Sequence, residues 1–261
     1  MKVQYASDLH LEFPQNSRYL REHPLEIKGD ILILAGDIHV LNSETFSNEP
    51  FWDWASKNYQ QVIVCFGNHE FYRGYDLSQM KEGFKLKIRD NVFYYYNCVV
   101  SIGDIDIIVS PLWSYIREKN EKACEQCFND FRLIKWDNET LTAKKFTEEH
   151  IRCLDFIKRS INESKAKTKI IVTHHVPSIL LYNDESQGDA LDASTVDLTD
   201  YIKNCGAKYW IYGHSHKNMD NIIIGETTCL CNQFGYVLYN EQTTFDNSKY
   251  INLSEKENNK D

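Results

Sequence analysis

The sequence has no apolar run of the roughly 18 residues that a membrane-spanning helix takes, so no transmembrane segment is expected. It has no visible leader. The chain opens Met1-Lys-Val-Gln-Tyr5 and its first chemical motif arrives at Asp8, which a cleavable leader would destroy. A cytoplasmic location is the simplest expectation. There is no excess of basic charge: 29 Lys and Arg stand against 38 Asp and Glu, a formal net charge of −9. Proteins that grip long nucleic acid usually show a basic face, so such a partner is disfavoured. The basic stretches at 85–89 and at Lys165, Lys167 and Lys169 read as solvated helix ends. Cysteine pairing is equally sparse. Of eight cysteines, only Cys124 and Cys127 have zinc-like or redox spacing, and no second such pair accompanies them. That pair reads as chance within a helical stretch, and the usage suits a reducing compartment. With 5 prolines and 11 glycines there is no linker, and no repeat of fixed period is present. A single domain over residues 1–250 is expected, followed by a frayed polar tail at 251–261.

What is there suits a globular α/β protein. The 261 residues are 42% hydrophobic and 26% charged, enough to bury a sizeable core. Short β-rich apolar runs fall at 2–6, 31–35, 61–66, 92–96, 98–102, 105–110, 169–173, 208–212, 221–224 and 227–231. Helical periodicity falls at 50–58, 76–90, 119–129, 144–163 and 195–204, clearest in the fourth, where Phe146, Ile151, Leu154, Ile157 and Ile161 recur three to five apart. The first third alternates strand and helix, which implies a parallel sheet. The stretch 92–110 reads as adjacent antiparallel strands. The fold class expected is a layered α/β β-sandwich with helices outside.

Five short motifs each sit just past an expected strand: Asp8-Leu-His10, Gly36-Asp37, Gly67-Asn68-His69-Glu70, His174-His175 and Gly213-His214-Ser215-His216. Alone, each is weak or moderate, and a polar turn accounts for it. Together they place imidazoles, carboxylates and an amide where the carboxyl ends of strands converge on a crevice. Such donors suit Mn, Fe, Zn or Ni better than Ca, and the absence of cysteine among them disfavours a structural zinc site. The glycines before Asp37, Asn68 and His214 permit tight turns that aim side chains inward.

As an ordered set spanning residues 8–216, these motifs resemble the calcineurin-like metallophosphoesterase superfamily. The resemblance implies a two-sheet sandwich flanked by helices and two divalent transition-metal ions. One ion would be held by Asp8, His10 and His216, the other by Asn68, His174 and His214, with Asp37 bridging. His174 fits a ligand better than His175 because it directly follows its strand. His69 would be the acid near the leaving group, with Glu70 orienting it. One departure is Val40, which stands where many members carry a second acid, so support at that point is missing or comes from elsewhere. Two ions about 3.5–4 Å apart can share and acidify a hydroxide that attacks phosphorus in line with the leaving alkoxide. A small phosphorylated substrate is expected, either a phosphodiester or a phosphomonoester.

Substrate contacts are less defined. Tyr72, Arg73 and His175 are candidates, and Arg73 serves equally as a phosphate partner or a surface salt bridge. Asn129-Asp-Phe-Arg132 caps either a helix end or the site. Gln187-Gly188-Asp189 lies in a polar loop of the kind that selects substrates, and Asn232 is a further candidate for the metals. Two other readings compete: a nuclease using the same centre, and a non-catalytic interaction module on the same fold. The filled ligand positions and His69 count against the second.

Overall fold

A computed structural model describes residues 1–182 and 185–253, with the side chains of 185–187 left aside. The first half of the chain runs β1 (Lys2–Ala6), α1 (Pro14–Glu22), β2 (Ile31–Leu34), α2 (Pro50–Asn58), β3 (Gln61–Cys65), β4 (Phe84–Arg89), β5 (Val92–Tyr96), β6 (Cys98–Ile102) and β7 (Ile105–Val109). Then come α3 (Glu121–Cys127), α4 (Asp130–Leu133), a small hairpin of β8 (Lys135–Trp136) and β9 (Glu139–Thr140), and the long α5 (Ala143–Glu163). The chain closes with β10 (Thr168–Val172), α6 (Thr199–Asn204), β11 (Tyr209–Tyr212), β12 (Ile222–Ile224), β13 (Thr227–Cys231) and β14 (Tyr250–Asn252). No described helix is long and apolar enough to cross a membrane.

Two six-stranded sheets stack face to face, ordered β14-β1-β2-β3-β5-β4 and β12-β13-β11-β10-β7-β6. Each has four parallel strands at its centre and an antiparallel strand at either edge. The parallel strands are nearly continuous apolar runs because both of their faces are covered. Alternation divides them. Val3, Tyr5, Ile31, Ile33 and Ile63 meet Ile107, Val109, Ile170, Val172 and Ile211 between the sheets. Leu32, Leu34, Val62 and Val64 point the other way, onto Trp52 and Ala55 of α2. On the far side Ile108, Ile171 and Trp210 pack on Phe156 and Ile157 of α5 and Ile202 of α6. Each such side chain, fully buried, contributes roughly 1.5–3 kcal/mol relative to exposure. Thr142 caps α5, its side chain accepting from the Lys145 amide. The expected layered αββα sandwich is the observed fold.

The strand ends stand level. Ala6 pairs with Leu34, Leu34 with Val64, and Val172 with Ile211, so all five motifs leave their strands on one rim.

Three expectations need correction. The helix expected at 76–90 is a short 3-10 turn at Leu77–Gln79 followed by β4. Leu77, Met80 and Phe84 mimic helical spacing, but Phe84-Lys-Leu-Lys-Ile-Arg89 alternates with period two, as an edge strand with outward charges does. The stretch 92–110 is not one antiparallel unit. β5 lies in the first sheet while β6 and β7 pair in the second, and Asn97 carries the chain across with a positive φ of 48°. Ile251 and Asn252, expected in the frayed tail, form part of β14 and pair with Val3 and Lys2; residues 254–261 lie outside the described residues. Helix α1 was not expected. Its proline at the first turn is the one local signal for it.

Candidate metal centre

The turns out of the strands are strained in the same way. Asp8, His10, Asp37, His214 and His216 all have left-handed φ, between 47° and 77°. Each such residue costs about 1–2 kcal/mol, which the packed strands on either side must hold in place. Two glycines are needed for a different reason from the one expected. Gly67 and Gly213 do not have left-handed φ, but a Cβ at Gly67 would lie 2.2 Å from Asp37 Oδ1, and one at Gly213 would lie 2.7 Å from Asp8 Oδ2. They make room for carboxylates rather than bending the chain.

The rim gathers the motif side chains into two groups that share Asp37. In the first, His10 Nε2 lies 2.9 Å from His216 Nε2 and 3.8 Å from Asp37 Oδ2, and His216 Nε2 lies 3.5 Å from Asp8 Oδ1. In the second, His174 Nε2 lies 3.0 Å from Asn68 Oδ1, 3.1 Å from His214 Nδ1 and 3.4 Å from Asp37 Oδ1. Asp8, His10, Asp37 and His174 are buried, and His214 and His216 half-buried.

Hydrogen bonding behind these atoms decides what they offer. His10 Nδ1 meets the Glu12 carboxylate at 3.2 Å and His216 Nδ1 meets Glu241 at 2.7 Å. His174 Nδ1 meets the carbonyl of Ala35 at 3.0 Å. Carboxylates and carbonyls only accept, so each Nδ1 carries a proton and each Nε2 is the atom turned inward. Asn68 gives its amide N–H to Asp130 at 2.9 Å, which turns Oδ1 inward as well. Imidazole nitrogens, an amide oxygen and two carboxylates thus face one another at close range. The arrangement is favourable only with positive charge among them. The charges agree: burial opposes ionisation of Asp37, but His174, His69 and His10 outweigh it and hold the carboxyl well below its usual range. Burial likewise disfavours a charged His174, yet Asp37 and Asp8 raise it to about 10, so a proton takes the cation's place there. These oxygen and imidazole donors, with no thiolate in either group, fit divalent transition metals.

A family model described as calcineurin-like phosphoesterase matches residues 1–218. The chain belongs to the calcineurin-like phosphoesterase family. It is therefore a metal-dependent phosphoric ester hydrolase. It is 29% identical to the uncharacterized protein L509 of Acanthamoeba polyphaga mimivirus, over 97% of each chain. Its fold is similar to that of a phosphopantetheinyl hydrolase from Mycobacterium tuberculosis, at 16% identity and a TM-score of 0.69, covering 97% of this chain and 96% of that one.

Around the candidate metal cluster the structure adds residues that lie outside the five motifs. Glu12 uses one oxygen, Oε1, for both His10 and His69, at 3.2 and 2.9 Å. Its place two residues past His10 was an available signal. Glu241 and Tyr236 arrive from beyond the last motif. The Tyr236 hydroxyl lies 3.2 Å from His69 Nε2, and its amide donates to Glu241. Asp130 accepts from Asn68 and from the Tyr72 hydroxyl, so the 129–132 cluster reaches the site and does more than cap a helix. Glu70 has another task than orienting His69: its carboxylate accepts from the amides of Gly67, Asp37 and Ile38, tying two motif loops together.

The weaker substrate candidates separate. Tyr72 lines the cleft and stacks on His69 with ring centroids 4.2 Å apart. Arg73 is exposed and does not line it. His175 is fully buried beneath the cluster, stacked on His214 at 4.3 Å, with neither ring nitrogen hydrogen-bonded. It is part of the packing and not a substrate contact. Asn232 spends its amide on Tyr5 O, Asp246 O and Asp246 N, which leaves nothing for the metals. Of Gln187-Gly188-Asp189, the side chain of Gln187 lies outside the description, and the Asp189 carbonyl packs against Cys124 of α3. Cys124 is buried and Cys127 exposed, both as free thiols.

Proposed function

We propose that this phosphoesterase cleaves a small phosphodiester or phosphomonoester with two divalent transition-metal ions. Asp8, His10, Asp37 and His216 would hold one ion, and Asp37, Asn68, His174 and His214 the other. The observation that carries this is the inward-facing set of imidazole nitrogens and oxygen atoms shared through Asp37, a donor set that divalent transition metals fit. Such ions supply Lewis acidity to phosphoryl oxygens and acidify water. Asp37 offers an oxygen to each group and offsets their mutual repulsion. Asp130 and Glu12 fix ring and amide orientations before substrate arrives.

His69 sits just outside both groups, its Nε2 4.0 Å from Asp37 Oδ2. Burial pulls it toward neutrality, but Asp37, Glu12 and Asp130 outweigh that and raise it to about 9. Protonated, it would be in reach of a leaving oxygen on the open side of the cluster. Glu12 holds Nδ1, so Nε2 is the atom that gives the proton. The described residues lining the cleft include no Lys or Arg, so phosphate charge must be met by the cations. That favours a small ester over a nucleic-acid strand, whose flanking phosphates need basic partners. The eight free cysteines suit a cytosolic setting.

The test is to load the protein with manganese, remove excess by gel filtration, and measure metal content and hydrolysis of phosphorylated metabolites, cyclic nucleotides and short DNA. Close to two ions and turnover of a small ester are expected. A protein that retains no metal and shows no metal-stimulated hydrolysis overturns the reading. Preference for DNA would return the nuclease alternative.

A further inference from the structure

Beside the metal cleft lies a second hollow of about 310 Å³, and the two share Tyr236 and Asn129 on their walls. Its other walls include Phe13, Leu238 and Tyr239, and no charged residue lines it. These three are unusually open for their type, at 40%, 67% and 68% of full exposure. Large apolar side chains left exposed together mark a surface meant to be covered. The rings are ordered and not splayed: Phe13 meets Tyr236 nearly at right angles at 5.3 Å, and Tyr236 meets Tyr239 likewise at 6.0 Å. The segment is pinned to the centre, because Glu241 accepts from both the Tyr236 amide and His216 Nδ1 at 2.7 Å.

We propose that this hollow receives the alcohol portion of the ester, and that this portion is uncharged and aromatic or otherwise apolar. The proposal rests on the hydrolase reading above and deepens it. Direction comes from His69. A leaving oxygen must lie near His69 Nε2, and Tyr236, whose hydroxyl is 3.2 Å from that nitrogen, lines both the cleft and the hollow. An alcohol that departs there has its body against Tyr236, with Phe13 and Leu238 beyond. A carboxylate or second phosphate on that body would be desolvated without a cationic partner, which is costly. A ring or alkyl chain would bury apolar area on both sides, with the edge-to-face geometry such rings prefer.

Three phosphonates that cannot be hydrolysed share one head group and test this by calorimetry on manganese-loaded protein: methyl-, naphthylmethyl- and 4-carboxybenzylphosphonate. The naphthylmethyl compound should bind about tenfold or more tighter than the methyl one, and the carboxybenzyl compound should gain little. Leu238→Asp, on an exposed side chain remote from the metals, should reduce the naphthylmethyl-to-methyl affinity ratio by roughly fivefold or more while metal content stays the same. Equal affinity for all three compounds, or a ratio untouched by Leu238→Asp, overturns the subsite while leaving the hydrolase reading intact. Failure of methylphosphonate itself to bind overturns both.

Discussion

The two halves of the metal cluster are held in different ways. In the half built on His10 and His216, each imidazole leans on a carboxylate, Glu12 or Glu241. In the half built on His174 and Asn68, the imidazole leans on a backbone carbonyl, Ala35 O, and the amide on Asp130. A carboxylate behind an imidazole raises its basicity more than a carbonyl does. The carbonyl belongs to the end of β2 and cannot be removed by substitution. The first half is therefore tuned by side chains and the second by the sheet itself. Asp37 is the point where the two meet.

The largest effect should come from erasing the distinction at that shared point. Asp37→Asn removes the charge that serves both halves and leaves a nitrogen with no free lone pair. Both ions should be lost or weakened, and turnover should fall beyond the roughly 10²–10⁴ that loss of an acid brings. Asp8→Asn and Asn68→Asp, each in one half, should be milder. Metal content and rate for the three variants side by side check the order, and an Asp37→Asn protein with both ions and near-normal rate contradicts the bridging role.

Next in size is His69→Ala, which removes no member of either half. Both ions should stay. The rate should fall by about 10²–10⁴ for esters of poor leaving groups and much less for p-nitrophenyl esters. A ratio of wild type to variant that is flat across leaving-group pKa contradicts the acid role. The sign with pH is that of an acid, present below its pKa and lost as pH rises through it, so wild type but not His69→Ala should show an alkaline limb.

Separating the halves is a subtler measurement. Glu12→Gln and Glu241→Gln should weaken one ion by about 10–100-fold and spare the other. Asp130→Asn should weaken the ion on the opposite side. Stepwise manganese titrations with elemental analysis would show one weakened site in each variant, and equal weakening of both sites would remove the comparison. Glu12→Gln should also lower the pKa of His69, since that carboxylate raises it, whereas Glu241→Gln should not.

The ease of reading the sequence follows the same division. The candidate ligands were legible as a cluster because each directly follows a β-rich run, so chain position already stated spatial position. Their residue types then fixed the chemistry. Glu12 was within reach of that logic. Asp130 fell in the 129–132 cluster, read as capping either a helix end or the site, but Tyr236 and Glu241 were not legible, because each comes from a turn whose approach to the rim depends on long-range packing that no local period encodes. Gly67 was legible as a glycine but not for its reason, since close approach to Asp37 appears only once two motif loops are docked. Among the elements, strands buried on both faces were clear, while the edge strand β4 was taken for a helix and β14 for a tail. The edge strands β6 and β12, by contrast, carry the apolar runs Cys98-Val-Val and Ile222-Ile-Ile224 and were legible.

The smallest effect expected separates His174 from its neighbour. His175 is fully buried, stacked on His214, and packed against Trp113 with centroids 5.2 Å apart. Neither of its nitrogens has a hydrogen-bond partner, so the ring acts as an apolar plate. Burial, reinforced by His214 and His174, holds its pKa well below the usual value. His175→Phe keeps the stacking and removes two unpaired polar atoms, at the risk of slight overpacking. Stability at neutral pH should stay within about 1 kcal/mol of wild type, with metal content unchanged. His174→Phe should instead lose an ion. The pH sign is specific. Above the unfolded-state value near 6.5, folded and unfolded His175 are both neutral and the residue adds no pH dependence. Below it the unfolded chain takes up a proton that the folded ring refuses, so wild type loses stability as pH falls and the phenylalanine variant is spared that share. Denaturant midpoints for the two proteins at pH 7.5 and 5.5 should therefore diverge in favour of the variant at the lower pH, and loss of metal in His175→Phe would restore this histidine to the working cluster.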